Sequence, residues 1–122
     1  MTAQRRSLTP VERASQMYRP RLLDQTVTLG PNQEHDFGPV HYYPNQNLRL
    51  TSAGTVRHYL GLFEAPRYQQ LRGLGGRFPF AWGSDRTGHD LTFSTTGFGQ
   101  LFVVVRVGIF NPQGTIRVIL EA

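Results

Sequence analysis

The sequence predicts an all-β domain, an antiparallel β-sandwich of jelly-roll type with about seven strands and a short N-terminal helical arm. Two runs rich in β-branched and aromatic residues, 100–110 and 115–121, flank Asn111-Pro-Gln-Gly114, the pattern of a β-hairpin. Val103, Val105, Val107 and Ile109 share one face at period two, and Ile116, Val118 and Leu120 match them on the second run. The opposite face mixes Arg106, Gly108, Arg117 and Glu121 with Phe102, Val104 and Ile119, as expected of a pair covering a core on one side. Upstream, short strand-like runs recur at roughly 8–12-residue spacing between turn residues, which suggests a β-sandwich or a jelly-roll-like barrel.

The elements follow in order. Residues 1–24 form a basic arm: Arg5, Arg6, Arg13, Arg19 and Arg21 stand against Glu12 and Asp24. Within it, Thr9-Pro10-Val11-Glu12 matches a capping box, with Pro10 at the first helical position. Val11, Ala14 and Met17 or Tyr18 share one helical face, and Pro20 ends the helix near Tyr18 or Arg19. A helix of about two turns does not persist alone in water, so its apolar face needs a cover. The sandwich spans 25–122. Its expected strands are 25–29, 34–43 (broken or bulged at Gly38-Pro39), 48–52, 55–63, 90–95, 100–110 and 115–121. Ala53-Gly54 reads as the turn between the third and fourth. Residues 64–89 read as a long insertion, with a helical turn or two at Ala65–Arg72 ended by Gly73.

Composition bounds the function. The 122 residues suit one domain with a single core, and 39% hydrophobic content is too high for general disorder. The net charge of +5 is carried by arginine alone, lysine being absent, as either a GC-rich codon usage or selection against modifiable amines would give. No cysteine is present, which excludes disulfides and thiolate metal sites. No run approaches the ~20 apolar residues of a membrane helix. Met1-Thr-Ala-Gln-Arg-Arg-Ser7 is followed by no secretory apolar stretch, so the expected location is the cytoplasm or a virion.

Catalytic signals are weak. His35-Asp36 and His89-Asp90 are sequence neighbours, which on a strand point to opposite faces. His41 stands alone, and His58 shares a face with Val56 and Leu60, where a hydrogen-bonded buried histidine is expected. A metal site from His35, His41 and Asp36 or His89 has no ligand spacing behind it, and no nucleophile elbow exists. Gly73-Leu-Gly-Gly76 lacks the lysine and following helix of a phosphate loop. No enzyme activity, cofactor or metal is expected, and nucleic acid is a partner only through the arm.

Two partner-binding groups stand out. In the arm they are Arg5, Arg6, Val11, Arg13, Met17, Tyr18, Arg19 and Arg21; in the insertion, Arg67, Tyr68, Arg72, Arg77, Phe78, Phe80 and Trp82. The insertion's aromatics either plug one end of the sandwich or form a binding surface of the aromatic and arginine type. Gln25-Thr-Val-Thr-Leu29, Leu48-Arg-Leu-Thr-Ser-Ala-Gly54, Tyr59-Leu60, Leu91-Thr-Phe93, Gly97, Leu101-Phe-Val-Val-Val-Arg-Val107 and Gly114-Thr-Ile-Arg-Val118 resemble the bacterial pre-peptidase C-terminal domain family. The resemblance covers roughly residues 25–121 and implies a β-sandwich appended to secreted proteases, where it assists substrate or matrix binding. The expected function is a non-enzymatic structural or assembly protein, packing through its arm into a homo-oligomer or larger particle, for example a phage or virus capsid-associated one. The alternative is a stand-alone ligand- or carbohydrate-binding module that uses the 64–89 loop.

Overall fold

A computed structural model describes residues 20–73 and 85–122. Among these residues six strands and one helix follow in order: β1 (Arg21–Leu29), β2 (Glu34–Tyr42), β3 (Asn47–Glu64), α1 (Ala65–Gly73), β4 (Arg86–Ser94), β5 (Gly99–Arg106) and β6 (Gly114–Glu121). All strand pairs are antiparallel, and the strands form one nearly closed, barrel-like sheet in the order β1-β6-β3-β5-β2, with β4 also on β3.

β3 organises the sheet. Its first part, Asn47–Gly54, pairs with β4 and with β6, while Tyr59–Glu64 pairs with β5. Its alternation places Leu48, Leu50 and Leu60 at full burial. Val103, Val105, Val107, Ile116, Val118 and Leu120 are fully buried with them, as their period-two spacing requires. The bulge expected at Gly38-Pro39 is present as a register shift between Phe37 and Val40 against β5.

Several sequence expectations give way. The runs 48–52 and 55–63 are one continuous strand of 18 residues rather than two strands around a turn. Gly54 serves close approach there: a Cβ would lie 2.9 Å from both His58 Nδ1 and the Val56 carbonyl oxygen. The last two strands are not a hairpin. Both run antiparallel to β3, one after the other along its length, joined by an arch over 107–113. β5 ends at Arg106, and the backbone turns where Asn111 N–H donates to Gly108 O at 3.1 Å, leaving Ile109 63% exposed rather than on the core face. Val104, on the face expected to be half-open, is fully buried.

Boundaries also move. β1 begins at Arg21, inside the segment assigned to the arm, and β4 begins at Arg86, inside the expected insertion. The arm helix, with Arg5, Arg6, Val11, Arg13, Met17, Tyr18 and Arg19, lies outside the described residues, as do Arg77, Phe78, Phe80 and Trp82.

Candidate functional site

A cleft of about 530 Å³ opens between β4 and the far end of β3. Its floor is apolar: Leu62 of β3, Leu91 and Phe93 of β4, and Leu101 of β5. Leu91 and Phe93 reach it because they alternate on the inward face of β4, opposite Leu50 and Leu48 in the β3 ladder. Its rim is polar, carrying Tyr42, Glu64 and Arg67 on one side and Thr92, Ser94, Thr95 and Thr96 on the other.

Tyr42, Glu64, Arg67 and Thr95 each have a defined setting. Tyr42 OH donates to Glu64 Oε1 at 2.8 Å, and that bond holds the phenol above its ordinary range. Arg67, in the first turn of α1, donates to Gln70 Oε1 at 3.2 Å. Thr95 pins the β4–β5 connection to the β2–β3 turn: Asn45 N–H donates to its carbonyl oxygen, and its own N–H donates to Gln46 O, both at 3.0 Å. Gln46 N–H also donates to Thr95 Oγ1 at 2.9 Å. One wall of the cleft is therefore fixed by a two-way main-chain lock. An apolar floor with a few convergent polar groups is the ordinary make-up of a small-molecule site.

A second polar cluster lies where β3 bends. His58 is fully buried, with Nδ1 at 3.0 Å from Val56 O and Nε2 at 2.7 Å from Ser52 Oγ. The carbonyl can only accept, so Nδ1 carries the hydrogen and Nε2 accepts from the serine hydroxyl. His89 packs edge-on at 5.1 Å between ring centroids and donates from Nε2 to His58 O at 2.9 Å. Burial pushes the His58 pKa down from its ordinary value, and the neighbouring His89 adds to that; the Val56 bond and Asp85 oppose it. The imidazole is neutral and both its nitrogens are satisfied. The partner of Nδ1 is a main-chain carbonyl rather than a carboxylate, so the cluster ties this part of β3 together as a hydrogen-bond chain.

The helix α1 covers the outer side of β5. Tyr68 stacks on Phe102, with centroids 3.8 Å apart and planes at 7°, and its hydroxyl donates to Asp36. Arg72 pairs with Asp36 and sits 3.8 Å from Glu34, which Arg106 holds at 2.7 Å. Of the residues singled out in the insertion, Tyr68 and Arg72 thus join the chain's own packing, and Arg67 reaches the cleft. Arg21, expected in the arm group, pairs with Asp24 at 2.7 Å and starts β1. His35, His41, Asp36 and His89 are not gathered into a metal-binding group among the described residues.

Comparison with protein-family models, with curated proteins and with solved structures finds no match to this chain. Sequence reasoning missed Tyr42, Glu64, Phe93, Ser52 and Thr95. The pairs Tyr42–Glu64 and Ser52–His58 carry no local spacing signal, because the turns and bend of β3 bring them together. The alternation of Leu91 and Phe93 within the expected strand 90–95 is the one signal that could have found the cleft.

Proposed function

We propose that this protein is a non-enzymatic assembly subunit, a β-domain that packs into a homo-oligomer or larger particle. One observation carries the reading: large apolar side chains are exposed at both ends of β5. Tyr43 and Phe98, 56% and 76% exposed, pair edge-on before its first residue; Ile109 and Phe110, 63% and 96% exposed, follow its last. Eight residues of strand separate the two ends, roughly 27 Å at ~3.4 Å per residue. Exposed apolar side chains gathered into patches mark contact sites, and aromatic residues are enriched at interface cores. Patches at opposite ends favour head-to-tail contacts between copies, which close into a ring or extend as a filament. The basic segment before β1 supplies a further reach onto a neighbour.

Light scattering on the eluting protein tests the reading. Wild type is expected as a multiple of the 13.8 kDa chain, falling toward monomer in Phe110→Ser and Phe98→Ser. A wild-type monomer at high concentration overturns it. The cleft favours a second reading, a stand-alone ligand-binding module of the pre-peptidase type, in which Arg67 and Glu64 of the 64–89 segment meet the ligand.

A further inference from the structure

The cleft carries an unusual pair of charges. Every other described side-chain carboxylate has an arginine within ion-pair range: Asp24 with Arg21 and Arg117, Glu34 with Arg106, Asp36 with Arg72, Asp85 with Arg57, Asp90 with Arg49 and Glu121 with Arg21. Glu64 has none among the described residues, and neither does Arg67, though both line the same cleft. A chain this rich in arginine readily pairs its acids, so an acid and a base left apart on one rim are a feature of the site.

Each of the two is oriented by a neutral neighbour. Tyr42 OH occupies one oxygen of Glu64, leaving the other lobe of the carboxylate open. Gln70 takes one N–H of Arg67, leaving the rest of the guanidinium fork free for a carboxylate. Beneath them lie Leu62, Phe93 and Leu101. We propose that this cleft binds a small zwitterion with an apolar side chain, of the class of the free apolar amino acids. Its ammonium meets Glu64, its carboxylate meets Arg67, and its side chain covers the floor. The inference rests on the ligand-binding reading above and names the ligand class of that site.

The chemistry explains why neither charge alone sets the specificity. A simple anion would meet Glu64 at the same rim, and a simple cation would meet Arg67. Only a ligand carrying both signs satisfies both groups without leaving one opposed or unpaired.

The test uses the full chain, phenylalanine, and two derivatives that each lack one charge: phenylalaninamide, without the carboxylate, and N-acetylphenylalanine, without the ammonium. Binding is read from backbone amide shifts of residues 92–96 and by calorimetry. Phenylalanine is expected to bind, with each derivative weaker by at least about tenfold, the worth of one charge-assisted hydrogen bond. Arg67→Gln should abolish the preference for phenylalanine over its amide, and Glu64→Gln the preference over the N-acetyl form. Both residues are exposed, so both variants should keep the wild-type spectrum elsewhere. If all three compounds bind alike, the cleft is a ligand site but the zwitterion proposal is overturned. If none moves the 92–96 amides up to about 10 mM, the ligand-binding reading falls with it.

Discussion

Replacing His58 with leucine should separate the stability of this domain at neutral pH from its stability in mild acid. His58 is fully buried and neutral, its pKa lowered chiefly by burial, with His89 acting in the same direction against Val56 O and Asp85. In the unfolded chain the same imidazole binds a proton below about pH 6.5. A group with a depressed basic pKa gives stability that is whole above the unfolded value and is lost on acidification, because unfolding then takes up a proton. The slope approaches about 1.4 kcal/mol per pH unit, so the loss between pH 7 and pH 5 reaches about 2 kcal/mol at most.

In His58→Leu that loss disappears, while Ser52 Oγ and Val56 O lose their partner at a cost of about 1–3 kcal/mol. The variant should therefore be clearly weaker than wild type at pH 7, with the gap narrowing by up to about 2 kcal/mol at pH 5. Urea denaturation at the two pH values, with equal slopes, measures it. Parallel losses in wild type and variant would refute the argument, since the remaining histidines are common to both.

Leu50→Ala empties a fully buried position and should cost about 2–5 kcal/mol, seen as a midpoint lower by about 8–20 °C in a thermal melt. Gly114→Ala should destabilise by about 1–3 kcal/mol, because a Cβ there lies 2.5 Å from Val56 Cγ1 and 2.7 Å from Thr55 Oγ1. Asp24 is held down to about 2, mainly by the hydrogen bond from Arg117, with Arg21 assisting. Its contribution is whole above its ordinary 3.8 and lost as pH falls through that lowered value, and Arg117→Gln should move its carbon-13 titration midpoint upward. Deleting residues 1–19 leaves β1 intact and should preserve the β-type circular dichroism spectrum while lowering the assembled mass; loss of the spectrum would show that the segment belongs to the domain's own core.

The alternation in this chain is written plainly where a strand buries one face. Val103, Val105 and Val107, and Ile116, Val118 and Leu120, announced their burial through period two. What alternation does not encode is which strand pairs with which. A hairpin and an arch present the same two apolar stripes, so the runs before and after Asn111-Pro-Gln-Gly114 looked paired when each in fact pairs with β3. Gly54 misled for a related reason: glycine marks a turn and a close backbone approach alike, and here His58 occupies the space that a side chain would need. The cleft was half legible. Arg67 stood out by type, but Leu91 and Phe93 stood only within an expected strand, and Glu64 and Tyr42 acquire meaning only when the ends of β2 and β3 meet.

The position of β6 has a consequence for how the chain comes together. β6 lies between β1 and β3, and it is the only strand that β1 pairs with among the described residues. Arg21 is thus matched with Glu121, nearly the whole sequence away. During synthesis β1 leaves the ribosome long before its partner exists, with Leu22, Leu23 and Val27 waiting for the core they will pack against. The ladder next to β3 stays open for the same interval. Closing so long a loop comes late and slowly, and the nascent chain meanwhile shows an unpaired edge that invites other chains. Among the described strands, the first made is completed by the last.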